Sequence, residues 1–237
     1  MASPYGWNVN PKFPGHMGPE SRRMSGWLDY IELVENGVYA IQPSEMSSQV
    51  YVIREGFPEG ESLVIELRQQ IKWDADFGGS GILIWHIDEL APKQTLRGWP
   101  GKPGWPRDHY RVALLQADGL YSLEKGENLG DPGDFWTKGM VLGPSADKWP
   151  NTMSYQGGTL RSTGITIEIL SKSGFIMNFK VTGITNSFAP APPEDEMGGL
   201  APSLRGFEGE ETGSAIAWLL AMMGSLVTVV GLMVFLL

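Results

Sequence analysis

The chain has 237 residues, 42% hydrophobic and 19% charged, enough for one sizeable core and a small extra module. A formal charge of −9 with no basic run excludes a nucleic-acid partner, because nothing is present to neutralise phosphates. The absence of cysteine excludes disulfides, thiolate catalysis and cysteine-type zinc sites together.

The 31 Gly and 17 Pro favour turns, and with them β structure. In chain order, "MASPYGWNVNPKFPG" has no basic start and no apolar run, so it does not read as a signal peptide. "GPESRRMSGWL" predicts the one helix of the folded part, around Pro19–Leu28, with Pro in its first turn and Gly near its end. Strands are expected around Val38–Ile41, Val50–Arg54 and Leu63–Arg68. "GILIWHID" predicts a strand over Ile82–Asp88. A period of two puts Ile82, Ile84, His86 and Asp88 on one face and Leu83, Trp85, Ile87 and Glu89 on the other. Both faces start apolar, as in a central strand covered on both sides. Tyr110–Gln116 follows. "GITIEILS" alternates, with Ile165, Ile167 and Ile169 opposed to Thr166 and Glu168, and "SKSG" turns it into "FIMNFKV" as a hairpin. The expected class is α+β, a mainly antiparallel β-sheet or sandwich with few helices.

Past the folded part, residues 1–185, the composition changes. Residues 186–213 are rich in Pro, Gly and acids and read as a disordered, self-repelling stalk. Residues 214–237 read as a transmembrane helix. The run from Ala215 to Leu237 carries no charge, and its 23 residues would span roughly 35 Å as a helix. The expected location is a membrane, single-pass, with the soluble part extracellular or lumenal; a glycolipid-anchored surface protein is the alternative. The positive-inside signal is weak, since no Lys or Arg follows the run. An apolar tail without a leader implies either a tail-anchored protein facing the cytosol or an N-terminus upstream of Met1.

Two constellations are candidates for chemistry. His86-x-Asp88 places two metal-ligating groups on one strand face, with Glu89 beside them. A catalytic zinc needs a third ligand, His16 and His109 are distant in sequence, and no H-E-x-x-H occurs. His86 and Asp88 therefore read as a structural pair that satisfy each other at a strand end. The second constellation is "QADGLYSLEKGENLGDPGDFW", where Asp118, Asn128, Asp131 and Asp134 stand among glycines. Hard oxygen ligands on a Gly-rich loop suit calcium, although the spacing is not that of an EF-hand. The alternative is a solvated acidic loop that caps its own turns. No nucleophile elbow, P-loop or dinucleotide fingerprint is present.

The ordered series "MASPYGWN", "PGHMGPESRRMSGWL", "GVYAIQPSE", "YVIREGFPEGESLVIELRQ", "WDADFGGSGILIWHIDE", "HYRVALLQADGLYSLEKGENLGDPGDFW" and "STGITIEILSKSGFIMNFKV" resembles the immune inhibitor A-like zinc metallopeptidases over about Met1 to Val181. The resemblance implies a C-terminal half of a peptidase domain. The family's zinc-binding H-E-x-x-H helix would lie upstream, and Met1 would be the methionine of the tight turn beneath the zinc. Leu67 stands where the family's "IENRQ" strand has Asn, which leaves that position's role in doubt. The resemblance further implies calcium on the Asp118–Asp134 loop, and zinc held by residues this chain lacks. The whole protein would cleave protein or peptide substrates with a metal-activated water at a lipid bilayer. The chain itself would be inactive, or would serve as a membrane-anchored binding or structural module derived from a peptidase.

Overall fold

A computed structural model describes residues 15–91 and 98–185, all within one unit, Met1–Ala189. The expected turn at Met1, the stalk over 186–213 and the apolar run Ala215–Leu237 lie outside the described residues. Among the described residues, no helix is long and apolar enough to cross a membrane.

The described residues are mostly β-sheet with two short α-helices. In chain order they form α1 (Pro19–Met24), β1 (Ile31–Glu32), β2 (Gly37–Ile41), β3 (Tyr51–Ile53), β4 (Glu61–Arg68) and β5 (Gly81–Asp88). There follow β6 (Val112–Leu114), α2 (Ser122–Lys125), β7 (Val141–Leu142), β8 (Thr166–Ile169) and β9 (Met177–Thr182). One sheet has the order β1-β3-β4-β5-β6 and the other β2-β9-β8-β7. All neighbours are antiparallel except β1 and β3.

The period-two pattern decides which side chains meet. Leu63, Ile65 and Leu67 of β4 and Ile82 and Ile84 of β5 join Ile167, Ile169, Phe179 and Val181 of the other sheet in one core. The other face of the first sheet is covered too. Val64 and Ile87 pack with Leu28 and Val50, and Leu83 packs with Phe77 and Phe135. The strand Gly81–Asp88 is thus hydrogen-bonded on both edges and covered on both faces, as its apolar pattern predicts. Leu67, at the position where the resemblance has Asn, is fully buried in the shared core.

The first helix is shorter than expected. Gly26 takes φ +71°, and the Trp27 N–H reaches back to the Arg22 carbonyl at 2.9 Å, closing the helix before Leu28. Two-residue strands such as β7 carry too little pattern to be seen in the sequence.

Candidate functional site

The acidic loop folds around a one-turn 3-10 helix, Pro132–Asp134. Asp131 caps it: its Oδ1 accepts from the Gly133 N–H at 2.7 Å, while Asp134 Oδ2 accepts from the Asp131 N–H at 2.8 Å. This reciprocal cap turns both carboxylates toward one place. Asp118, at the other end of the loop, is fastened by the Leu120 N–H to its Oδ1 at 2.9 Å. Asp118, Asp131 and Asp134 each bring a carboxylate oxygen within 4.8 Å of the others. Among the described residues this is the one group of three or more metal-ligating acids or histidines so placed. Gly133 permits the approach, since a Cβ there would lie 2.7 Å from Asp118 Oδ2 and 2.9 Å from Asp131 Oδ1.

The cluster opens to the surface at Asp118 and closes at Asp134, which is fully buried. Asp134 Oδ1 is enclosed and has no hydrogen-bond donor. Burial, together with the Asp131 and Asp118 charges, pushes the Asp134 acid up to about 6. A buried carboxylate oxygen without a donor, beside two more carboxylates, is a donor set that fits a hard cation. Asn128, expected as a fourth ligand, instead donates from Nδ2 to Asp131 Oδ2 at 2.7 Å, and its Oδ1 accepts from the Gly130 N–H. It positions Asp131.

His86 and Asp88 do not bond to each other, contrary to the expected mutual pair. They lie on one strand face, but each takes a partner from elsewhere in the chain. His86 Nε2 meets Glu61 Oε1 at 2.6 Å, and Asp88 Oδ2 accepts from His109 Nε2 at 2.9 Å. Antiparallel pairing of β4 with β5 puts Glu61 directly across from Asp88, which brings Glu61 near His86. Glu61 also accepts from the Ser154 hydroxyl at 2.5 Å and the Tyr155 N–H at 3.0 Å. The Tyr155 ring stacks on His86 with centroids 3.9 Å apart.

The two histidines are shifted in opposite directions. His109 faces an acceptor at each nitrogen, the Pro106 carbonyl at 2.6 Å from Nδ1 and Asp88 at Nε2, so both nitrogens must carry protons. Burial alone would lower its pKa, but the bonds to Asp88 and Pro106 override this and raise it. Burial would raise the Asp88 acid, but hydrogen bonds from His109, Gln156 and the Leu90 N–H hold it below its ordinary value. For His86 burial wins and lowers the pKa, with Glu61 offsetting only part. Its Nδ1 is enclosed without a partner.

This network does not assemble three zinc ligands among the described residues: both nitrogens of His109 are taken by Pro106 and Asp88, and His86 keeps only Nδ1 open, its Nε2 being held by Glu61. His16 lies beside a different cluster, to which its backbone N–H bonds at Asp74 Oδ1, 2.6 Å away. That second cluster is charged and buried. Arg68 pairs with Asp74 and binds the His16 and Met17 carbonyls at 2.9 and 3.0 Å, and Glu66 accepts from Arg22, Ser44 and Trp85. Glu45 beside it is raised to about 8, by burial first and then by its bond with Asp74.

Glu61, His109, Ser154, Tyr155 and Gln156 carry no signal in the sequence as site residues. In the sequence His109 stands too far along the chain to be joined to His86. Compared with protein families, curated proteins and solved structures, the chain matches none.

Proposed function

We propose that this chain is the calcium-binding, non-catalytic part of a membrane-anchored zinc metallopeptidase. The reading rests on the ordered motif series over Met1 to Val181 and is carried, within the chain, by the Asp118–Asp131–Asp134 cluster. Calcium would be held by these three carboxylates, with Asn128 and Gly133 shaping the loop. Calcium ties the loop's two ends, Asp118 and Asp131–Asp134, to each other and stabilises the fold by binding the native state alone. Zinc chemistry belongs to residues this chain does not contain.

The test is thermal unfolding of the full chain with calcium and with a chelator. Calcium at about 100 times its Kd is expected to stabilise by about 2.7 kcal/mol. Asp131→Ala combined with Asp134→Ala, or Gly133→Ala alone, should abolish the calcium-dependent rise in Tm. Equal destabilisation with and without calcium would remove the site.

A second reading, a membrane-anchored binding module derived from a peptidase, is favoured by one observation. An open groove of about 560 Å³ is lined by Arg22, Trp27, Ser44 and Met46, and Trp27 is 70% exposed at its edge.

A further inference from the structure

The loop that gathers the three carboxylates also displays two leucines. Leu120 and Leu129 are each 57% exposed. Both are tied to the cluster by the chain itself. The Leu120 N–H bonds Asp118 Oδ1, and Leu129 sits between Asn128, which holds Asp131 Oδ2, and Gly130, whose N–H is held by Asn128 Oδ1. The Lys125 ammonium bonds the Leu120 carbonyl at 2.7 Å, placing a positive charge next to the same leucine.

We propose that this loop docks on an anionic phospholipid surface when it holds calcium, with Leu120 and Leu129 entering the interface and lipid phosphates completing the ion's shell. The inference rests on the calcium reading above. Calcium takes six to eight oxygens, and three carboxylates leave several positions to be filled from outside. The cluster opens at Asp118, on the side where the ligand set is exposed, so outside oxygens can approach. Without the ion, the acidic loop is repelled by an anionic leaflet. With it, the local charge is offset and the apolar side chains can enter. An ion site flanked by solvent-exposed leucines fits a surface that supplies phosphate and hydrocarbon together. The choice of lipid over a protein partner is supported by the uncharged apolar run, residues 215–237, in the same chain.

The absence of cysteine gives a direct test. Leu129→Cys in the full chain is labelled with an environment-sensitive fluorophore and placed in vesicles of equal parts phosphatidylserine and phosphatidylcholine. Calcium should shift the emission to the blue, a chelator should reverse the shift, and pure phosphatidylcholine vesicles should give none. Asp131→Asn with Asp134→Asn should erase the response. The apolar run is common to every sample, so it cannot produce a difference at residue 129. If calcium raises the Tm but leaves the label unmoved, docking is overturned and the calcium site stands. If calcium does not raise the Tm, the calcium reading fails first. A calcium-dependent shift in detergent without vesicles would point to contact between copies of the chain and overturn the lipid assignment, as would a shift independent of calcium.

Discussion

His109 and His86 lie with ring centroids 6.2 Å apart, yet they respond to pH in opposite directions. The folded His109 is raised above its ordinary 6.5, so its stabilisation is complete below 6.5 and is lost as pH climbs through the raised value. Asp88 is lowered below 3.8, so its share is present above 3.8 and lost as pH falls through the depressed value. His86 is lowered, and below pH 6.5 the unfolded chain takes up a proton that the folded one refuses, so stability falls with acidification. Asp88→Asn should remove the first two contributions and keep the third. Breaking a buried pair by one partner costs about 3–5 kcal/mol. The gap in Tm between wild type and Asp88→Asn should therefore be widest near pH 5 and narrow towards pH 9, with the variant falling more steeply on the acid side. Parallel Tm–pH curves would show that the His109–Asp88 contact carries no charge. At this scale the sequence was least informative: His86 and Asp88 were visible as a strand-end pair, but their partners come from residues 25 and 21 positions away.

At the scale of elements, β4 and β5 form the axis of the first sheet. Each presents apolar side chains on both faces, and the pair changes character at its ends. At the Glu61 end the face shared with the second sheet turns polar, with Glu61, His86 and Asp88. At the Arg68 end the opposite face does so, with Glu66 and Arg68, and the Trp85 Nε1–H reaches Glu66 from mid-strand. Alternation made both strands and their inward faces legible, because pleating maps period two directly onto the two sides of a sheet. It could not reveal that β2 joins one sheet and β3 the other. That assignment depends on long-range pairing of β2 with β9, some 140 residues apart, which no local pattern encodes. Ile65 is fully buried at the centre of the axis, whereas Val38 is 61% exposed on β2. Ile65→Ala should cost about 2–5 kcal/mol by urea denaturation. Val38→Ala should stay within about 0.5 kcal/mol. Similar costs at the two positions would mean that the shared core does not lie where β4 faces the second sheet.

For the whole molecule the question is which metal its side chains fit. Oxygen ligands and nitrogen ligands are separated: Asp118, Asp131 and Asp134 converge on one loop, His86 and His109 share one buried network, and the half-buried His16 lies apart, joined to Asp74 through its backbone. A catalytic zinc needs three protein ligands and an open position for water. Here His86 has only Nδ1 open, His109 would have to leave Pro106 or Asp88, and no third ligand stands beside them among the described residues. Calcium needs no such rearrangement. The full chain should accordingly be stabilised by calcium and not by zinc in the same thermal assay, and casein incubated with it should remain at the background rate whether zinc is present or absent. Turnover of casein that appears with zinc and disappears with a zinc chelator would overturn the non-catalytic reading. Stabilisation by zinc that survives Asp131→Ala with Asp134→Ala would place a second metal site among the histidines.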